Sequence, residues 1–367
     1  MFAAGFEKLE AVFNEMLFQR KLHSSAQVAV RHGGQVLVNH AAQSALSPAK
    51  PGEINERTPF LCFSVSKALT GLCIHKLIEN GQLELDAPVA RYWPEFGCKG
   101  KETATIRHVF LHQAGIPAPG LRRQVFLWPS WPLVTRNVAG ARAQFVPGTR
   151  SAYHLVNYGF IFGEVIRRVT GLQVEEYLER EFLRPMGLTD TWMRLPSDQL
   201  ARTPRLESRS PEMTEACRLF NLRPIRLARI PAASLHSTAM DLAVVFQMLL
   251  DDGLWQGKRI LQPQTVRLAT SLGYAGEDEY IRHPMRWGYG FIIGRERGET
   301  EESQALGRGS SEDTFSAMGM GTNFAWADRR SGLVVAFTCN GMLSNAQASQ
   351  RWSEISDAVW QAVGQAA

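Results

Sequence analysis

The chain has only five cysteines (Cys62, Cys73, Cys98, Cys217 and Cys339), and no two of them form a Cys-x-x-Cys pair. That sparse, odd-numbered and unpatterned set fits reduced thiols in an intracellular protein better than a disulfide framework. Charge is modest: 40 Lys+Arg against 35 Asp+Glu, a formal +5 over 367 residues. Without a basic helix or an aromatic-basic repeat, this surplus makes no nucleic-acid surface. No apolar run reaches membrane-spanning length. Glu7, Lys8, Glu10 and Glu15 interrupt the first apolar stretch, unlike a secretory leader, so a cytoplasmic location is expected. No cofactor and no metal are expected, and the oligomeric state is left open.

What is present is an ordinary enzyme composition, 45% hydrophobic and 20% charged, long enough for a large core. Phe6, Leu9, Val12, Phe13, Met16 and Leu17 predict an amphipathic N-terminal helix. Gln27–Val30 and Gln35–Val38 flank His32-Gly33-Gly34, which predicts an antiparallel hairpin. From Asp86 to about Leu254 the pattern is mostly helical. Strands return at Tyr289–Ile293, Thr322–Trp326 and Leu333–Thr338, and a closing helix is expected from Ala346 to Val363. The polar stretch Arg297–Asp313 reads as an exposed loop. There is no internal repeat and no interdomain linker. The expected architecture is one domain over 1–367. A sheet lobe (about 1–60 and 255–367) holds an inserted helical lobe (about 61–254).

The stretch Phe63-Ser64-Val65-Ser66-Lys67 opens a helix whose apolar residues Leu69, Leu72, Cys73, Leu77 and Ile78 recur with helical period. Ser64 falls at an N-cap or first-turn position, and Lys67 lies one turn on, on the same face. A neighbouring amine can take a serine proton when burial lowers its pKa, and a helix N-terminus favours an oxyanion. Taken alone, Ser-x-x-Lys also describes a capping serine followed by a solvated lysine.

A second candidate is Pro147-Gly148-Thr149-Arg150-Ser151-Ala152-Tyr153-His154-Leu155, a turn that places Tyr153 just before a helix over Val156–Val169. Tyrosine is a poor base at its ordinary pKa of roughly 10, but a nearby lysine favours its phenolate. His154 is the rival base, and both residues also fit plain core packing. Leu127–Leu133 is too rich in proline for a helix or central strand, and reads as a packed loop or an aromatic wall over a pocket. Seven arginines between Arg202 and Arg229, against three glutamates, read as a solvated irregular loop rather than an anion-attracting lid.

Phe63-Ser64-Val65-Ser66-Lys67, Leu85-Asp86-Ala87-Pro88-Val89, Thr105-Ile106-Arg107-His108, Pro147-Gly148-Thr149-Arg150 and Ile230-Pro231-Ala232-Ala233 follow one another across most of the chain. In this order they resemble the serine β-lactamase-related superfamily of class C β-lactamases, DD-peptidases and family VIII carboxylesterases. With Tyr153-His154 and Tyr158-Gly159, the likeness is greatest to the esterase branch. The resemblance implies an α/β (α+β) fold with an antiparallel sheet from both chain ends, flanked by helices. It also implies an acyl-transfer site with Ser64 as nucleophile, Lys67 as base or relay and Tyr153 as its general-base partner.

Two departures shape the expected substrate. Leu155 stands where the family often has an asparagine that grips a substrate amide. Ala317-Met318-Gly319 stands where it has Lys-Thr-Gly or His-x-Gly, so a cation for a substrate carboxylate is missing. Gly319 still permits close approach, and the backbone N–H groups of Met320 and Ser64 are the expected oxyanion hole. The expected function is a serine esterase for neutral small or medium acyl esters. Trp128, Trp131, His154, Leu155, Met318 and Gly319 are its candidate substrate contacts, and no nucleic acid or membrane partner is expected. The alternatives are an acyltransferase of the same family, a β-lactamase or DD-peptidase, and a silent binding protein on this fold.

Overall fold

The computed structural model describes residues 2–50, 52–117, 125–295 and 305–364. Eight strands form one antiparallel sheet: β1 (Ser25–His32), β2 (Gln35–Gln43), β3 (Tyr274–Asp278), β4 (His283–Trp287), β5 (Ile292–Ile293), β6 (Thr314–Met318), β7 (Phe324–Asp328) and β8 (Leu333–Cys339). Their order is β2-β1-β8-β7-β6-β5-β4-β3, so the two chain ends meet where β1 pairs with β8. The helices that matter here are α1 (Glu7–Asn14), α2 (Val65–Glu79), α3 (Trp131–Gly140), α4 (Asn157–Thr170), α5 (Thr214–Phe220), α6 (Ala239–Leu250) and α7 (Asn345–Ala362).

Alternation along the central strands sorts side chains into two cores. Val28, Val30, Phe324, Trp326, Val335 and Phe337 face the layer formed by α1 and α7. Ala29, Ala325, Ala327, Val334 and Ala336 face the other side, where α6 packs on β1, β7 and β8. Small residues on that face let the helix sit close, and large ones on the opposite face fill a wider gap. A one-residue slip would exchange the two sets, so the register Ala29 to Ala336 is strongly specified. The second core continues without a break from the sheet into α2, α4 and the other helices of the middle segment. No helix of the described residues is long and apolar enough to cross a membrane.

Several expectations need correction. The hairpin β3–β4 was not foreseen. Leu127–Leu133 does enter a helix, because Pro132 sits in the first turn of α3, where a missing N–H costs nothing. The strand expected at Tyr289–Ile293 shrinks to Ile292–Ile293, and that at Thr322–Trp326 shifts to β7. In the expected loop Arg297–Asp313, residues 297–304 lie outside the described residues. Ala305 and Leu306 are packed against α7, where their carbonyls accept from Ser356 and Trp360.

Candidate active site

Ser64 is presented by a sharp change of direction. Phe60–Leu61 is extended and paired with His236–Ser237, and α2 starts only four residues later. Phe63 makes the turn with a φ of 46°, a left-handed conformation unusual for an aromatic residue. Ser64 then occupies the N-cap position without its hydroxyl capping the helix, which leaves Oγ available. Ser66, by contrast, is fully buried and committed: its hydroxyl meets the Phe63 carbonyl and accepts from the Leu235 N–H at 2.9 Å.

Lys67 Nζ lies 3.1 Å from Ser64 Oγ, 2.7 Å from the Leu155 carbonyl and 3.4 Å from the Ala232 carbonyl. It also sits over the Tyr153 ring, 4.5 Å from its centre. Among the described residues no carboxylate pairs with it, and burial pushes its pKa well below the usual lysine range. The amine can therefore rest neutral, with its N–H groups on the two carbonyls and its lone pair toward Ser64.

Tyr153 precedes α4 by four residues and lies flat on Trp287, with ring centres 5.5 Å apart and planes at 12°. His112 meets its ring edge-on at 4.7 Å. Burial raises the phenol pKa, while a hydrogen bond with Ser64 acts in the opposite direction. A resting phenolate is thus disfavoured, and the neutral phenol is the form the site holds.

These residues open on a cavity of about 580 Å³. Of the expected contacts, Trp128, Leu155, Met318, Gly319 and Met320 border it. An added Cβ at Gly319 would come within 2.5 Å of the Cys62 carbonyl, so the end of β6 approaches the Ser64 turn closely because a side chain is absent. Met318 borders the cavity while packing partly on the core beneath α7. Two expected contacts are elsewhere. His154 is fully buried; its Nδ1 meets the Ala152 carbonyl and its Nε2 accepts from the Ile116 N–H. Both ring nitrogens are thus engaged by the backbone, away from the cavity border, and burial lowers its pKa to about 4. Trp131 packs on Phe160 and Arg229 and donates to Glu164 at 2.8 Å, on another face of the helical region.

Sequence reasoning missed most of the walls. Met213, Ala216, Leu219 and Phe220 come from the arginine-rich segment, and Tyr280, Ile281 and Met285 from the β3–β4 hairpin. From Pro211 on the segment is short helices rather than irregular loop, and these turn an apolar face to the cavity, while residues 203–210 contain no helix. Four of its seven arginines are engaged away from the cavity: Arg202 with Asp190, Arg209 with Glu207, Arg226 with the Thr203 carbonyl and Arg229 with Glu175. Among the described residues bordering the cavity, Lys67 is the sole Lys or Arg.

Comparison with known proteins bears on the family and the fold. The Beta-lactamase family model matches residues 10–359. The chain is 28% identical over 316 residues to the esterase/beta-lactamase LipL of Mycobacterium tuberculosis, covering 77% of this chain and 70% of that one. A penicillin-binding protein homologue from Caulobacter crescentus superposes with a TM-score of 0.82 at 26% identity, over 99% of this chain and 98% of that one. A family VIII carboxylesterase does so with a TM-score of 0.82 at 25% identity, over 97% and 98%.

Proposed function

Because the chain belongs to the beta-lactamase family, we propose that it is a serine hydrolase that cleaves neutral, apolar acyl esters through a Ser64 acyl-enzyme. Neutral Lys67 takes the Ser64 proton as Oγ attacks the ester carbonyl. The developing oxyanion is met by the backbone N–H groups of Ser64 and Met320. Lys67 then passes the proton through the Tyr153 phenol to the departing alkoxide, which leaves as the alcohol. Water enters next, gives a proton back along the same route, and releases the acid with Ser64 restored.

The observation that carries this reading is the Lys67–Ser64 contact of 3.1 Å set in a cavity with no other Lys or Arg at its border among the described residues. A lactam or peptide carboxylate would be desolvated there without a cation, whereas a neutral ester needs none. Missing one charge-assisted contact weakens transition-state binding roughly ten- to a hundredfold. The test is kcat/KM for p-nitrophenyl butyrate against a chromogenic cephalosporin on one sample. The ester should win by at least tenfold, and a ratio near one would sink the reading. Acyl transfer to an alcohol shares every step up to the acyl-enzyme, and the apolar walls suit an alcohol acceptor. Product partitioning between acid and new ester with added butanol separates the two outcomes.

A further inference from the structure

The hairpin that completes the cavity is tied to Tyr153 through one buried carboxylate, Asp278 at the end of β3. Its Oδ1 accepts from three backbone N–H groups: Tyr153 at 3.0 Å, Tyr280 at 3.1 Å and Ile281 at 3.0 Å. Its Oδ2 accepts from the Ser151 hydroxyl and the Trp287 indole, both at 3.2 Å. No ion pair with a Lys or Arg offsets its charge among the described residues. The Tyr280 and Ile281 contacts alone would suffice to close a hairpin turn. The other three go to the Tyr153 backbone, to a residue two positions before it, and to the indole that lies flat on its ring.

We propose that Asp278 is the positioning residue for Tyr153, holding its backbone and the Trp287 platform so that the phenol stays within reach of Ser64 and Lys67. This inference rests on the reading of Tyr153 as the acid–base group. Five donors converge on the carboxylate, so the site requires a side chain that only accepts. An asparagine would turn an NH2 group toward at least one of those donors. The negative charge has a second consequence, because it raises the Tyr153 pKa and so helps keep the proton the leaving alkoxide needs. The other titratable groups around the phenol are Lys67, His112, Tyr158 and Tyr280. Glu277 and Glu279, next to Asp278 in the chain, are exposed.

The experiment is a double-mutant cycle of Asp278→Asn and Tyr153→Phe with p-nitrophenyl butyrate, each variant first checked by thermal melting. Asp278→Asn should lower kcat about ten- to a hundredfold, the scale of a misplaced catalytic group, with KM within about threefold. Its alkaline limb should move to lower pH, because the phenol loses a neighbouring negative charge. In the Tyr153→Phe background the same substitution should cost less than about threefold, since the group it positions is already absent. Equal losses in both backgrounds, or near-native kcat with an unmoved alkaline limb, would overturn the inference. Near-native kcat for Tyr153→Phe alone would instead overturn the acid–base reading itself. Should Asp278→Asn not fold, Trp287→Phe keeps the carboxylate and removes one donor. It should lower kcat roughly three- to tenfold beside Tyr153 and leave the Tyr153→Phe enzyme unchanged, and additive losses would again overturn the proposal.

Discussion

The Lys67 amine has three polar neighbours within 3.4 Å, while Met213, Leu219, Phe220, Ile281 and Met285, which border the same cavity, offer only carbon and sulfur. The reactive group is held from several elements at once: Leu155 before α4, Ala232 before α6 and Ser64 before α2. The walls are held by packing, and two of them are methionines, whose flexible thioethers adapt to different shapes. On the proposed function, chemistry that needs fixed distances rests on hydrogen bonds, and recognition that must tolerate variety rests on soft contacts. The two regions should answer mutation differently, the reactive group in kcat and the walls in substrate range.

The sharpest break is Ser64→Ala. It should abolish fluorophosphonate labelling and lower kcat about ten-thousandfold or more, the scale for loss of a covalent nucleophile. Intact mass after labelling reads the outcome, and a label on Ser66 would contradict the assignment, since its hydroxyl is already bonded on both sides. Next come Lys67→Ala and Tyr153→Phe, each expected to lower kcat roughly a hundredfold, with the double variant far short of the product. The pH dependence follows from the two directions of shift. Burial lowers the Lys67 pKa, so activity is present above that value and falls as pH drops through it. The Tyr153 pKa is raised, so activity falls on the alkaline side only as pH climbs past the ordinary tyrosine range. A kcat profile centred on acid pH and lost by neutrality would contradict both assignments.

That same division decided what could be read from the residues alone. The Ser64–Lys67 pair was legible because an apolar helical period fixes which positions share a face, and three residues make one turn. The central strands were legible because Leu333–Thr338 and Gln27–Val30 are buried on both faces and nearly all apolar. The β3–β4 hairpin was not, since it lies at the sheet edge, and Glu277, His283 and Arg286 break its alternation. In the sequence Asp278 is the middle of three consecutive acidic residues; only the fold brings Ser151, Tyr153 and Trp287 to it. In the arginine-rich segment the charges drew attention, yet the residues that border the cavity are Met213, Ala216, Leu219 and Phe220. Their spacing of three and four was a helical stripe that the surrounding arginines obscured.

A wall substitution tests the soft side of the comparison. Phe220 meets both Phe63 and Trp128, with ring centres 4.9 and 5.8 Å apart. Phe220→Ala should lower kcat/KM for p-nitrophenyl octanoate about tenfold, as expected when apolar contacts to a long acyl chain are lost. The value for the acetate ester should change less than about twofold. Equal losses on both esters would mean that Phe220 supports Ser64 rather than lining a recognition surface.

The smallest kinetic effect should come from Trp131, and it sharpens the comparison most finely because Trp128 stands three residues away in the same proline-rich stretch. Pro129 and the start of α3 separate the two indoles: Trp128 is buried at the cavity border, whereas Trp131 turns to Glu164. Glu164 is a buried carboxylate that also holds Arg167 and Arg168. Removing the indole N–H leaves it one donor short, at a cost of about 1.5–3 kcal/mol for a hydrogen bond to a charged group. Trp131→Phe should therefore lower Tm by a few degrees while kcat and KM for both esters stay within about twofold. Trp128→Phe should do the reverse, changing KM for the octanoate ester several-fold with a smaller fall in Tm, because its buried indole N–H has no hydrogen-bond partner among the described residues to lose. Thermal melts and the two-ester kinetics on both variants read all four quantities. A KM change at Trp131 matching that at Trp128 would place both indoles on one functional wall and erase the boundary drawn between packing and recognition in this stretch.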